Sequence, residues 1–158
     1  MNTTLLFPIR RTDGKITEVC LAMKKRSFGK GRWNGVGGKV LPGESIESAA
    51  LRETTEEIGI LVQEYKKVAE LDFSFKFKPE WNQVTHVYLI ESWDGEPIES
   101  EEMRPQWYTL DSIPFENMWP DDTFWLPKVL DGEMIKAKFV FGENDAVLEK
   151  EVNSVETV

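Results

Sequence analysis

Apolar residues recur along this chain at two spacings, and the change from one to the other marks its elements. Thr3 to Arg11 and Val19 to Met23 are apolar, β-tolerant runs separated by Thr12-Asp13-Gly14-Lys15, a turn, so together they predict a hairpin. Pro8 cannot donate to a ladder and moves the first strand toward a sheet edge or a bulge. Leu71, Phe73, Phe75 and Phe77 alternate with polar residues inside Val62 to Phe77, the period of a strand with one buried face. Gln83 to Trp93 predicts a further strand ended by Asp94-Gly95, and Trp107 to Leu110 a short one followed by a loop over Asp111 to Pro114. Lys136 to Phe141 and Val147 to Val152 predict a closing hairpin around Gly142-Glu143-Asn144-Asp145.

Two stretches carry helical signals instead. Pro42-Gly43 is a turn, Ser45 can cap a helix start and Gly59 can end it. A second helix follows Pro120-Asp121-Asp122 and ends at Leu130-Asp131-Gly132, with Pro127 in or near its first turn. Mixed strands with one strong and one weaker helix predict an α+β class: a mixed β-sheet sandwiched between α-helices, in a single domain over residues 1–158.

The first helix carries the sharpest chemical signal. At about 100° per residue, Glu53, Glu56 and Glu57 fall within an arc of roughly 100°. Ile46, Ala49 and Ala50 point into the same arc, so the acids lie on the inward side, where a solvated charge run is not placed. Carboxylates crowded in this way repel one another, and the usual resolutions are a raised pKa or a bound hard cation. Oxygen-only ligands favour Mg²⁺ or Mn²⁺.

Charge and cysteine content narrow the function further. With 28 acidic against 19 basic residues and a net charge of −9, most of the surface repels a nucleic acid polymer. A small phosphate ester stays within reach, because bound divalent cations invert the field of an acidic site. The lone Cys20 and the absence of an apolar leader or a membrane-length apolar run predict a soluble, cytoplasmic, monomeric protein in a reducing compartment. The single histidine, His86, excludes Cys/His zinc sites and reads as a strand residue.

One basic cluster interrupts this acidic chain. Lys24, Lys25, Arg26, Lys30, Arg32 and Lys39 are interleaved with glycines up to Gly37-Gly38, directly before the acidic helix. Flexible backbone lets amides approach phosphates, and lysines supply point charges for them. Asp121 and Asp122 are either the charged start of a helix or, in a partly apolar pocket, a pair that keeps one proton and so offers a donor as well as an acceptor.

Gly38-Lys39-Val40-Leu41-Pro42-Gly43-Glu44, followed by Arg52-Glu53 and Glu56-Glu57-x-Gly59-Ile60, matches the signature box of the Nudix family, apart from Thr54 where that family has a bulky aliphatic residue. The chain is therefore identified as a member by resemblance. The likeness extends through Met23–Val40, Glu99–Tyr108 and Ile113–Asp122, and there it is to the branch that acts on oxidised purine nucleoside triphosphates.

The resemblance implies Mg²⁺-dependent (or Mn²⁺-dependent) hydrolysis of a small-molecule purine nucleoside triphosphate to monophosphate and pyrophosphate. It implies metal ligation by Gly37, Glu53, Glu56, Glu57 and the loop acid Glu102. Glu56 or Glu57 would orient or deprotonate water, Arg52 would hold the carboxylates, and Glu44 would support it. It places Asn34, Trp119, Pro120, Asp121 and Asp122 around the purine, with Phe28, Phe73, Lys24 and Thr4 lining the pocket and Gly37, Gly38 and Lys39 nearer the phosphates. Asp121 is expected to govern preference more than Asp122. The box alone leaves open an unmodified or methylated purine nucleotide, a dinucleoside polyphosphate, and a non-catalytic nucleotide sensor.

Overall fold

A computed structural model describes all residues, 1–158. Eight strands form one mixed sheet: β1 (Asn2–Thr12), β2 (Lys15–Lys24), β3 (Trp33–Asn34), β4 (Leu61–Phe75), β5 (Gln83–Asp94), β6 (Met103–Thr109), β7 (Met134–Phe141) and β8 (Val147–Val155). Their order is β3-β2-β1-β5-β4-β7-β8, and β6 pairs with β2. Helix α1 (Ile46–Ile58) lies on one face and α2 (Asp122–Leu130) on the other, as the alternation of β1 requires. Leu6 enters a cluster with Ala50, Ile58, Tyr88 and Ile90, whereas Phe7 and Ile9 enter a larger one with Leu71, Trp125, Leu126 and Phe139. Neither helix is long and apolar enough to cross a membrane.

β1 is a fork. Residues 2–8 pair in parallel with β5, and residues 9–12 pair antiparallel with β2. The edge strand that Pro8 suggests is thus not observed; β1 is central. The N–H groups of Thr4 and Leu6 point away from β5, to the carbonyls of Gly38 and Val36, and Pro8 comes next in that alternation, at the fork itself. Its missing donor falls where one partner strand has ended and the next has not begun. The predicted turn is present, with Asp13 and Gly14 both at positive φ.

Three other expectations shift. β4 ends at Phe75, and Phe77 is exposed, so only Leu71, Phe73 and Phe75 of the alternating run belong to the strand. β6 begins at Met103 and not at Trp107, because Pro105 is tolerated in a strand that pairs only with β2. Pro127 is the sixth residue of α2, beyond its first turn, so this short helix forgoes one backbone bond inside it. Asp111 lies in a short 3₁₀ turn over Leu110–Ser112.

α1 is bounded as its sequence suggests. Ser45 Oγ accepts from the Ser48 N–H at 3.1 Å, and Gly59, at φ +73°, closes the helix with its N–H on the Thr55 carbonyl. Thr54 is fully buried and returns its hydroxyl to the Ala50 carbonyl at 2.8 Å, so a polar residue fills the aliphatic position at no cost in unpaired groups. His86 is a buried β5 residue whose Nδ1 lies 2.9 Å from Lys67 Nζ; burial and that charge hold its pKa down. Cys20 is buried on β2, and burial pushes its thiol up to about 12.

Candidate active site

The segment after β3 delivers the glycine loop to the site by zipping onto β1. Val36 exchanges two backbone bonds with Leu6, at 2.6 and 2.9 Å, and Thr4 donates to the Gly38 carbonyl at 2.9 Å. Thr4 Oγ1 also accepts from the Gly38 N–H at 3.3 Å, which fixes the loop from the side. The approach is close: a Cβ at Gly37 would lie 1.9 Å from the Thr4 carbonyl oxygen, and one at Gly38 would lie 2.7 Å from the Glu53 carboxyl carbon. At Gly37 only glycine fits against the β1 backbone, and at Gly38 any side chain would have to displace the Glu53 carboxylate.

Glu53, Glu56 and Glu57 of α1 share one face, but they are not equivalent. Glu57 is buried and accepts from the Gly37 N–H at 3.2 Å. Burial raises its pKa to about 7; the Gly37 amide and the charge of Lys24 oppose this, and the charges of Glu53 and Glu102 add to it. Glu53 is mostly covered, whereas the Glu56 side chain is 58 % exposed. The inward face predicted for all three therefore runs from buried Glu57 to a solvent rim at Glu56.

Arg52 organises this end. Its guanidinium donates to Glu44 at 2.7 and 3.0 Å, to Glu53 at 2.9 Å and to Glu56 at 3.2 Å. Its Nη2 also reaches the Lys39 carbonyl, and Glu44 accepts from the Leu41 N–H at 3.1 Å, so helix and loop are held as one piece. The Arg52 bond holds the Glu44 carboxyl below its ordinary range. Glu102 is engaged by Arg26, at 2.6 and 3.1 Å, and its pKa is lowered by that bond.

The donors fit a hard divalent cation in kind, being carboxylate and carbonyl oxygens without histidine or cysteine. As the side chains stand, no three of them converge closely enough to hold one ion. Arg52, Arg26 and the Gly37 amide engage their oxygens instead.

Beyond the glycine loop a pocket of about 310 Å³ opens between the sheet and α2. Thr4, Lys24, Phe28, Asn34, Phe73 and Trp119 line it, as do Gly37, Gly38 and Lys39 at its mouth and Asp121 and Asp122 at its inner end. Pro120 does not line it. Phe28 and Trp119 form a wall with ring centroids 5.1 Å apart. Asn34 spends its carbonyl on the Gly35 N–H at 2.9 Å, and its amide N–H groups make no bond to the protein.

Asp121 and Asp122 are both 2 % exposed. Asp121 Oδ2 accepts from Trp125 Nε1 at 2.8 Å, but Asp122 Oδ2 is buried without a partner. Burial pushes Asp121 up to about 6; burial and the neighbouring Asp121 charge push Asp122 well above the carboxylate range. Asp121 makes no side-chain cap to the helix, so capping does not account for the pair.

Several pocket residues escape the sequence reading. Arg32 lies over the Trp119 ring at 4.1 Å and pairs with Asp145 at 3.0 Å, bracing the wall from behind. Thr3, Gln83 and Thr85 line the floor. The alternation of β1 and β5 is the signal that could have found them, because it puts them on the same face as Phe73.

The geometry has counterparts among known proteins. The NUDIX domain model matches residues 2–129. An oxidized purine nucleoside triphosphate hydrolase of Mus musculus is 46% identical over 139 residues, covering 88% of each chain. One of Danio rerio is 45% identical over 138 residues, covering 87% of this chain and 88% of its own. A solved MutT protein from Bacillus halodurans, 22% identical, superposes with a TM-score of 0.82 over 96% of this chain and 97% of its own, a likeness of fold. With the family model spanning most of the chain and the glycine loop laid against an Arg52-bound acidic helix, this protein belongs to the NUDIX domain family.

Proposed function

We propose that this protein hydrolyses oxidised purine nucleoside triphosphates, of the 8-oxo-dGTP kind, to the monophosphate and pyrophosphate, and so removes them from the nucleotide pool. The observation that carries the reading is the buried acidic pair: Asp122 Oδ2 has no protein partner, and Asp121 and Asp122 both line a pocket walled by Phe28, Phe73 and Trp119. A purine supplies both what that oxygen lacks and a ring for the aromatic walls to cover. The pocket opens through Gly37, Gly38 and Lys39 onto the acidic helix, so a base at the inner end sends its phosphates toward the carboxylates. The names of the Mus musculus and Danio rerio relatives support the same substrate class.

Glu53, Glu56, Glu57, Glu102 and the Gly37 carbonyl would hold Mg²⁺, with Mn²⁺ able to replace it. Bound there, the cation neutralises phosphate charge and lowers the pKa of water. Arg52 keeps Glu44, Glu53 and Glu56 in register and orients them toward the loop. Glu56 or Glu57 orients or deprotonates the attacking water, and Lys24 and Lys39 attract the phosphates. Trp119, braced by Arg32, covers one side of the base while Asn34, Asp121 and Asp122 bond its edge. The protein acts as a single-domain cytoplasmic monomer.

A panel of kcat/KM values for 8-oxo-dGTP, dGTP, dATP and a methylated guanine triphosphate, read as pyrophosphate release with Mg²⁺ and with EDTA, tests this. The oxidised nucleotide should lead and EDTA should abolish release. A methylated or normal nucleotide in first place would overturn the substrate assignment.

A further inference from the structure

The floor of the pocket carries a chain of hydrogen bonds whose direction is fixed by its own chemistry. Thr3 on β1 and Thr85 on β5 are paired in register, and Gln83 lies two residues before Thr85 on the same face. Gln83 Nε2 donates to the Trp81 carbonyl at 3.0 Å, a bond only the amide nitrogen can make, so Gln83 Oε1 is turned to Thr3. Thr3 Oγ1 donates to that oxygen at 3.0 Å. A hydroxyl has one proton, and Thr3 has committed its own. The 2.8 Å contact between Thr3 Oγ1 and Thr85 Oγ1 must therefore be donated by Thr85. Thr85, only 5 % exposed and lining the pocket, is left with lone pairs and no proton to give.

This wall differs in kind from the one opposite. Asp121 and Asp122 can exchange a proton between them and adapt to either polarity of a base edge. Thr85 cannot adapt while Gln83 and Thr3 hold their orientation. An acceptor-only wall favours an N–H and repels a bare ring nitrogen. Oxidation of a purine at C8 makes that change, since N7 is a bare acceptor in the parent base and carries a proton in the 8-oxo form.

We propose that Thr85 is a specificity-determining residue that accepts a hydrogen bond from N7–H of an 8-oxopurine, with Thr3 and Gln83 as the positioning residues that lock its polarity. This rests on the purine nucleotide reading of the pocket. It adds that part of the preference for oxidised base comes from the β1–β5 floor and not from the acidic pair alone.

The test compares the parent with Thr85→Val, Thr85→Ser and Gln83→Met. Its readouts are kcat/KM for 8-oxo-dGTP and dGTP, and calorimetric Kd for the two monophosphates without metal. Loss of one neutral hydrogen bond should lower the 8-oxo-dGTP to dGTP ratio about five- to tenfold in Thr85→Val. Thr85→Ser should restore it. Gln83→Met frees the Thr3 proton, so Thr85 can turn its own toward N7, and the ratio should fall because kcat/KM for dGTP rises, an outcome that loose packing would not produce. An unchanged ratio in Thr85→Val, equal losses toward both nucleotides, or a Gln83→Met variant that is only slower would overturn the proposal. A parent that cleaves neither triphosphate sinks the hydrolase reading alone, because the Kd ratio of the monophosphates still decides on Thr85. A parent that neither cleaves the triphosphates nor binds the monophosphates sinks both.

Discussion

Carboxylates are crowded at both ends of the cleft, and the two ends relieve the repulsion in opposite ways. On α1, Arg52 spreads one guanidinium over Glu44, Glu53 and Glu56, and Glu56 keeps most of its side chain in water. At the start of α2, Asp121 and Asp122 have almost no water, and burial leaves protonation as the way to shed charge. The helix dipoles differ too, and at α2 the dipole opposes the protonation that burial drives. Glu53, Glu56 and Glu57 sit in the C-terminal half of α1, where the dipole favours cations, whereas the aspartates sit at an N-terminus, where it favours anions. On the proposed reading, the first end takes a cation beside Arg52 as added counter-charge, and the second takes a neutral ring that supplies hydrogen bonds.

The sharpest way to break this contrast is at α1. Glu56→Gln keeps the volume and removes the charge at an exposed position, so the fold should survive while kcat falls by about 10²- to 10⁴-fold. Steady-state rates with Mg²⁺, alongside thermal melting, check both halves. A Gln variant running at the parent rate would remove the acidic helix from catalysis.

At the other end the effect should be one of preference. Asp122→Asn places a fixed N–H₂ where a proton can now come and go, and the ratio of kcat/KM between oxidised and normal purine triphosphates should change by roughly tenfold. Asp122 should exceed Asp121 here, the reverse of the expectation from sequence, because Asp121 Oδ2 is already engaged by Trp125 whereas Asp122 Oδ2 has no protein partner. Equal losses toward all triphosphates would make the pair structural.

The same aspartates should mark the pH dependence of stability. Their folded-state pKa values lie above the unfolded ones, so folding takes up protons, and the stability this contributes is full below about pH 4 and is lost as pH rises through the folded values, about 6 for Asp121. Arg-bound Glu44 and Glu102, with lowered values, work in the other direction and lose their contribution on acidification. The difference in melting temperature between Asp122→Asn and the parent isolates the pair. It should move in favour of the variant between pH 4.5 and pH 8, and a difference that stays flat would mean that both aspartates ionise freely. The smallest effect belongs to Thr54→Val. A hydroxyl that only returns to its own helix can be lost within about 1 kcal/mol, so melting should shift by a few degrees or less and kcat should not change.

Much of this was legible in the sequence because it rests on local rules. The capped helix, the turn at Asp13-Gly14 and the arc shared by Glu53, Glu56 and Glu57 follow from spacing and residue type alone. The chain did not announce what depends on partners far away in sequence. Pro8 looks like an edge residue until the fork of β1 supplies a place without a ladder partner. Glu57 and Glu56 look alike until the glycine loop covers one and leaves the other in water. Thr3, Gln83 and Thr85 are ordinary strand residues until parallel pairing across more than eighty residues brings two hydroxyls within 2.8 Å.

The burial of Cys20 bears on durability. Peroxides attack thiolates, and the sole cysteine here is buried on β2 with its thiol pushed up to about 12, so scarcely any thiolate forms at neutral pH. No second cysteine offers a disulfide partner. The conditions that damage nucleotides therefore find no thiol switch in this fold with which to turn it off.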